Sequence, residues 1–110
     1  MALPHAGSGE VIDIRPLGSN LVQAKTTTLL KTKTLEVIRL AIPAGKDIPE
    51  HRAHGEITVQ CLEGRIAFGA GGRKFDLAAG HLLYLSGEEP HSLHGIEDAT
   101  VLVTILLRHE

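Results

Sequence analysis

Histidine is the residue type in this chain best suited to chemistry. Seven occur in 110 residues, and imidazole is the commonest metal ligand and the usual proton carrier near neutral pH. Most of them fall in two segments. The first is Gly45-Lys-Asp-Ile-Pro-Glu-His51-Arg-Ala-His54-Gly-Glu56-Ile-Thr-Val-Gln60-Cys-Leu-Glu-Gly64, and the second is Gly80-His-Leu-Leu-Tyr-Leu-Ser-Gly87-Glu-Glu-Pro90-His91-Ser-Leu-His94. In each, a glycine turn leads into a stretch that ends at a histidine beside an expected strand.

Other constellations carry less. His51-Arg-Ala-His54 is no zinc-binding helix, because Pro49 and Gly55 crowd a helix from both sides. Gly69–Gly72 lacks the Gly-Lys-Ser/Thr ending of a phosphate loop and reads as a hairpin turn. Ser86 and Ser92 have no acidic partner at a spacing that suggests a hydrolase triad. Cys61 shares the inward parity of Ile57 and Val59, which makes it a small core residue. His5, His81 and His109 read as surface residues, and Glu88-Glu89 as a solvated turn before Pro90.

The elements that must position the histidines are short strands. Nine runs qualify: 10–14, 26–30, 35–42, 57–62, 65–68, 74–77, 82–85, 91–96 and 100–107. Ile57, Val59 and Cys61 alternate with Thr58, Gln60 and Leu62, the period of a half-buried strand. Thr100 to Leu107 is almost wholly apolar, as for a strand buried on both faces. No stretch offers a capped amphipathic helix. Turn signals every eight to twelve residues predict an all-β sandwich or barrel.

Length and composition agree with one domain, residues 1–110, with 1–9 as a loose end. Hydrophobic residues make up 43% of the chain and aromatics 3%, so the core must be aliphatic. Eleven Lys plus Arg against thirteen Asp plus Glu, with no basic stripe, give no support to nucleic-acid binding. No apolar run reaches membrane length. A single cysteine and an amino terminus without a basic or apolar leader region read as a soluble cytoplasmic protein.

The two histidine segments resemble the motifs of the small single-domain cupins, over about residues 40–107. Gly45 to His51 fits the first motif and Gly80 to His91 the second, while Ile57 to Gly64 looks like the family's strand and turn. The resemblance implies an all-β, cupin-type double-stranded β-helix, or jelly-roll, barrel with a histidine pocket at one mouth. It also implies a homodimer, for which the carboxy-terminal strand and the Thr-rich segment 26–34 are suitable surfaces. In strict register the first motif's other two ligand positions fall on Ala53 and Ile57, which cannot bind a metal. His54 and Glu56 each sit one residue away, and a bulge at Arg52–Gly55 would re-aim them. In the second motif Ser86, Glu88 and Gly95 stand where the family has Pro, Gly and Asn.

Three functions follow as expectations. The first is a small-molecule-binding barrel, with or without a divalent metal. The second is a metal-dependent enzyme of dioxygenase or isomerase type. There His51, His54 and His91 would hold Fe, Ni, Zn, Mn or Cu, with Glu56 or Gln60 as a fourth ligand. The third is a non-catalytic sensor or dimerisation domain. The fold hosts all three.

Overall fold

Alternation of side chains along two long strands organises the molecule. The computed structural model describes residues 5–53 and 55–107. It contains a 3-10 helix, Gly18–Gln23, and seven strands: β1 (Thr27–Lys31), β2 (Leu35–Ile42), β3 (Asp47–His51), β4 (Ile57–Ala70), β5 (Arg73–Ala78), β6 (Leu82–Leu85) and β7 (His91–Leu106). All pairings are antiparallel.

β4 and β7 pair with each other along nearly their whole length, from Ile57↔Ile105 at one tip to Ala70↔His91 at the other. Midway, between Cys61 and Ile66, the register slips repeatedly. Inward parity changes there: Ile57, Val59 and Cys61 are buried before the slip, Ile66, Phe68 and Ala70 after it. The ribbon therefore bends, and its two halves seed two layers. The first sheet runs β1-β2-β7-β4-β6 and the second β3-β7-β4-β5. The core of Ile42, Ile57, Val59, Ile66, Phe68, Val101 and their neighbours lies between them. This is a jelly-roll barrel.

The bend explains why nine expected strands become seven. Glu63-Gly64 reads as a turn, but it is a bulge inside β4: Gly64 has φ 76°, and a Cβ there would overlap the Asp98 carbonyl. Likewise 91–96 and 100–107 are one strand, β7. Residues 10–14 are not a strand, because no sheet edge pairs with them. Strand β3, which sequence reasoning omitted, carries Pro49, a residue confined to edge strands. The Gly71-Gly72 hairpin is as expected, with φ 57° and 76° at the two turn residues.

The expected burial of 100–107 on both faces is met only at Thr100 and Val101; farther along, the outward Leu102 and Thr104 are half-buried and Leu106 is exposed. Val101, Val103 and Ile105 point inward, while Thr100 lies fully buried beneath the 3-10 helix, where its hydroxyl accepts the Leu17 N–H at 3.2 Å and donates to Glu63. Among the described residues, no helix is long and apolar enough to cross a membrane.

Candidate functional site

The two long strands end where the histidines begin. His91 opens β7, and His51 closes β3 directly opposite it in the ladder. A register shift between Ile48 and His51 lets both face the barrel interior although three residues separate them. This shift precedes His51 and is distinct from the bulge expected at Arg52–Gly55, a segment that includes His54, outside the described residues.

The rings meet edge to face, with centroids 4.3 Å apart and planes at 63°. Phe68, fully buried on β4, stacks under His91 at 5.5 Å with planes only 13° apart. Each imidazole is oriented by the same local device. His51 Nδ1 lies 3.0 Å from the Pro49 carbonyl, and His91 Nδ1 3.0 Å from the Glu89 carbonyl. A carbonyl only accepts, so each Nδ1 carries the hydrogen and donates it. Each Nε2 keeps its lone pair and has no protein partner among the described residues.

His91 is 5% exposed. Burial holds its pKa below the usual imidazole value of 6.5; the Glu89 carbonyl opposes this, and the His51 ring adds to it. His91 is therefore the neutral, electron-donating form over most of the physiological range. His51 is more exposed and stands at the rim.

Both rings line a cavity of about 320 Å³ whose wall is otherwise mainly aliphatic, with Ile38, Leu40, Val59, Val103 and Ile105 among its residues. Ala53 and Ile57 line it too. The strict motif register therefore holds: the four positions face one cavity, and two of them are apolar. Glu56 and Gln60 are half-buried and absent from the lining. Gln60 has the outward parity of β4, opposite Leu102 and Leu82. His54 lies outside the described residues, as does His109.

The donor set can be tested against a metal on this geometry. Imidazoles whose Nδ1–H is fixed by a backbone carbonyl suit ligation through Nε2. Two donors are too few to hold an ion, and among the described residues no group of three or more His, Cys, Asp or Glu is placed to do so. His51 and His91 fit; a third donor must come from elsewhere.

Some features were invisible in sequence. Phe68 as the floor under His91 follows from strand pairing alone. Glu36 on β2 and Arg52 after β3 also line the cavity, and nothing in their local sequence marks them. Outside the barrel, His94 Nδ1 meets Asp47 Oδ1 at 2.5 Å, a cross-strand pair beside Ser92. Both residues are well exposed and no hydrogen bond joins Ser92 to them. Cys61 is buried as expected, with its thiol 3.3 Å from the Glu63 carbonyl and its pKa raised by burial.

Two bent sheets enclosing an apolar pocket with inward-facing histidines define a jelly-roll barrel. The family model for the cupin domain matches residues 38–106, and the chain belongs to that family. Solved structures repeat the architecture. A conserved protein of unknown function from Streptococcus pyogenes, SPY1581, superposes with a TM-score of 0.75 at 18% identity, covering 100% of this chain and 97% of that one. An RmlC-like cupin protein from Desulfovibrio desulfuricans gives 0.68 at 21%, over 94% and 96%. Salicylate 1,2-dioxygenase from Pseudoaminobacter salicylatoxidans gives 0.63 at 20%, covering 67% of this chain but 21% of that enzyme. At these identities the likeness is one of fold. No curated protein matches the sequence.

Proposed function

We propose that this cupin-domain protein binds a small molecule inside the barrel, with the apolar part against the aliphatic wall and a polar end at His51 and His91. One observation carries the reading. Two imidazoles with their Nδ1 hydrogens already committed present unpartnered Nε2 atoms at a cavity of about 320 Å³ that is otherwise mainly aliphatic. Pockets of this kind take their affinity from apolar burial and their orientation from a few polar groups. Nε2 of the neutral His91 accepts a hydrogen bond, so the site recognises a hydroxyl or N–H group and can receive its proton. Val59→Phe fills the cavity from β4; a ligand that raises the melting temperature of the parent should leave this variant unshifted. An equal shift in both would place binding elsewhere and end the proposal.

The carbonyl-oriented imidazoles favour a second reading, a metal-dependent cupin enzyme of dioxygenase or isomerase type. His51, His54 and His91 would hold the ion, with Glu56 or Gln60 as a fourth ligand; Fe, Ni, Zn, Mn and Cu all accept imidazole. Such an ion supplies a Lewis acid that polarises a bound oxygen function. Elemental analysis of untagged protein decides. About one equivalent in the parent and little in His51→Ala supports it. No metal in either, after incubation with the divalent ions, excludes it and leaves the first reading.

The same proposal includes a homodimer in the cytoplasm. The outer face of the first sheet carries the cross-strand rows Leu30-Val37-Thr104-Thr58-Tyr84 and Thr27-Arg39-Leu102-Gln60-Leu82. Arg39 is the single charge in them, and Leu82 and Tyr84 are 63% and 57% exposed. A face so poor in charge is compatible with itself across a two-fold axis. Light scattering should give a dimer for the parent and a monomer for Leu82→Asp/Tyr84→Asp; a monomeric parent would rule the dimer out.

A further inference from the structure

Two side chains of opposite charge, Glu36 and Arg52, line the cavity without a partner among the described residues. Glu36 projects inward from β2, in the cross-strand row with Ile105 and Ile57. Arg52 follows His51 in the segment leaving β3 and lines the same cavity. Neither side chain makes an ion pair or hydrogen bond with a described residue. Lys31 lies opposite Glu36 in the ladder, yet no ion pair joins them. Both charges belong to the mouth: Glu36 is half-buried, Arg52 exposed.

The ligand's charge follows from that pattern. A monoanion bound to Arg52 would bring like charge towards Glu36, and a monocation bound to Glu36 would bring it towards Arg52. At this mouth each repulsion offsets part of the gain from the attracting charge. A neutral molecule would screen both charges from water and pair neither. A molecule carrying both charges satisfies both residues. A cavity of about 320 Å³ is of the size that takes a small molecule.

We propose that the ligand is a zwitterion with an aliphatic tail, of the class of the apolar α-amino acids. Its carboxylate is held by the Arg52 guanidinium, whose planar fork matches a carboxylate in two parallel hydrogen bonds. Its ammonium is held by Glu36 and donates its further N–H groups to the imidazole Nε2 atoms, the polar end of the reading above, while its tail enters the barrel among Ile38, Val59 and Val103. This deepens the small-molecule reading above and rests on it.

The experiment is titration calorimetry on the full chain with four probes of one carbon skeleton: L-leucine, 4-methylpentanoate, 3-methylbutylamine and 4-methylpentan-1-ol. Leucine should bind tighter than each of the others by about tenfold or more, the worth of one charge-assisted contact. Arg52→Gln should weaken leucine and 4-methylpentanoate while leaving the amine unchanged. Glu36→Gln should weaken leucine and the amine, and leave the carboxylate unchanged or tighter. The alcohol should bind both variants as it binds the parent, which shows that the cavity is intact. If the alcohol or 4-methylpentanoate matches leucine, the zwitterion is overturned and the apolar cavity reading stands. If none of the four binds, both fall.

Discussion

The bent ribbon of β4 and β7 has two ends that treat polar groups in opposite ways. At the bend, Glu63 accepts the Gly18 N–H at 2.9 Å and the Thr100 hydroxyl, Thr100 accepts the Leu17 N–H, and the Cys61 thiol donates to the Glu63 carbonyl. Leu21 of the 3-10 helix packs over this end and is almost fully buried. Every polar group just named is used up inside the protein. At the tips, two imidazole Nε2 atoms, a carboxylate and a guanidinium have no partner among the described residues and surround an aliphatic hollow. The barrel thus has a closed, self-satisfied end at the bend and an open one at the strand tips, where β2 and β3 bring their own polar groups. The difference separates stability from recognition: unpaired groups cost stability, and a fold keeps them together where a ligand can pair them.

Substitutions at the two ends should separate in the same way. Leu21→Ala at the closed end removes a buried side chain and should cost about 3 kcal/mol, measured by urea denaturation. A cost near zero would mean that the helix only rests on the sheet. Thr100→Val keeps the shape but strands the Leu17 N–H and one Glu63 contact, a loss of about 1–2 kcal/mol. Val59→Phe at the open end grows into existing space, so its stability should lie within about 1 kcal/mol of the parent while ligand binding is lost. A cost comparable to that of Leu21→Ala would show that the tips are as tightly packed as the bend, and the contrast would fail.

Legibility in the sequence followed the same division. Strands β2 and β6 were readable to the residue, because Leu35–Ile42 and Leu82–Leu85 are uninterrupted β-rich runs between turn residues. The cupin motif spacing placed His51, His91, Ala53 and Ile57 at one site, and all four line one cavity. The continuity of β4 and β7 was hidden, because Glu63-Gly64 and Glu97-Asp98 have turn composition. The bulge that absorbs them exists only when Gly64 meets Asp98 across the ladder. β3 was masked by Pro49, whose missing N–H matters only if an edge partner needs it. Residues 10–14 have strand composition and no partner, since pairing is decided by the rest of the fold. Glu36 and Arg52 became site residues through tertiary placement alone. Whether His54 joins them depends on an offset of one residue that strand parity cannot resolve.

The smallest expected effect is in pH dependence, and it belongs to the open end. Burial depresses the His91 pKa below its unfolded value of 6.5. The unfolded chain therefore binds the proton first as pH falls. Stability from this group is complete above about 6.5, declines as pH drops towards the folded pKa, and is flat below it. Two carboxylates also titrate, but lower. Arg15 holds Asp13 at about 2 and Arg65 holds Asp76 below its usual 3.8, so their contributions disappear only under about pH 4. The His91 effect therefore falls at higher pH than those of the two aspartates. Urea midpoints below about pH 6.5 should slope downward with acid in the parent, and the slope should diminish in His91→Asn, which cannot titrate. Ligand affinity should fall over the same interval, because a protonated Nε2 no longer accepts a hydrogen bond. At the closed end, Thr100→Val should change the height of the stability profile without changing its slope. If Thr100→Val altered the slope and His91→Asn did not, the titrating group would lie at the bend, and the division between the two ends would have to be redrawn.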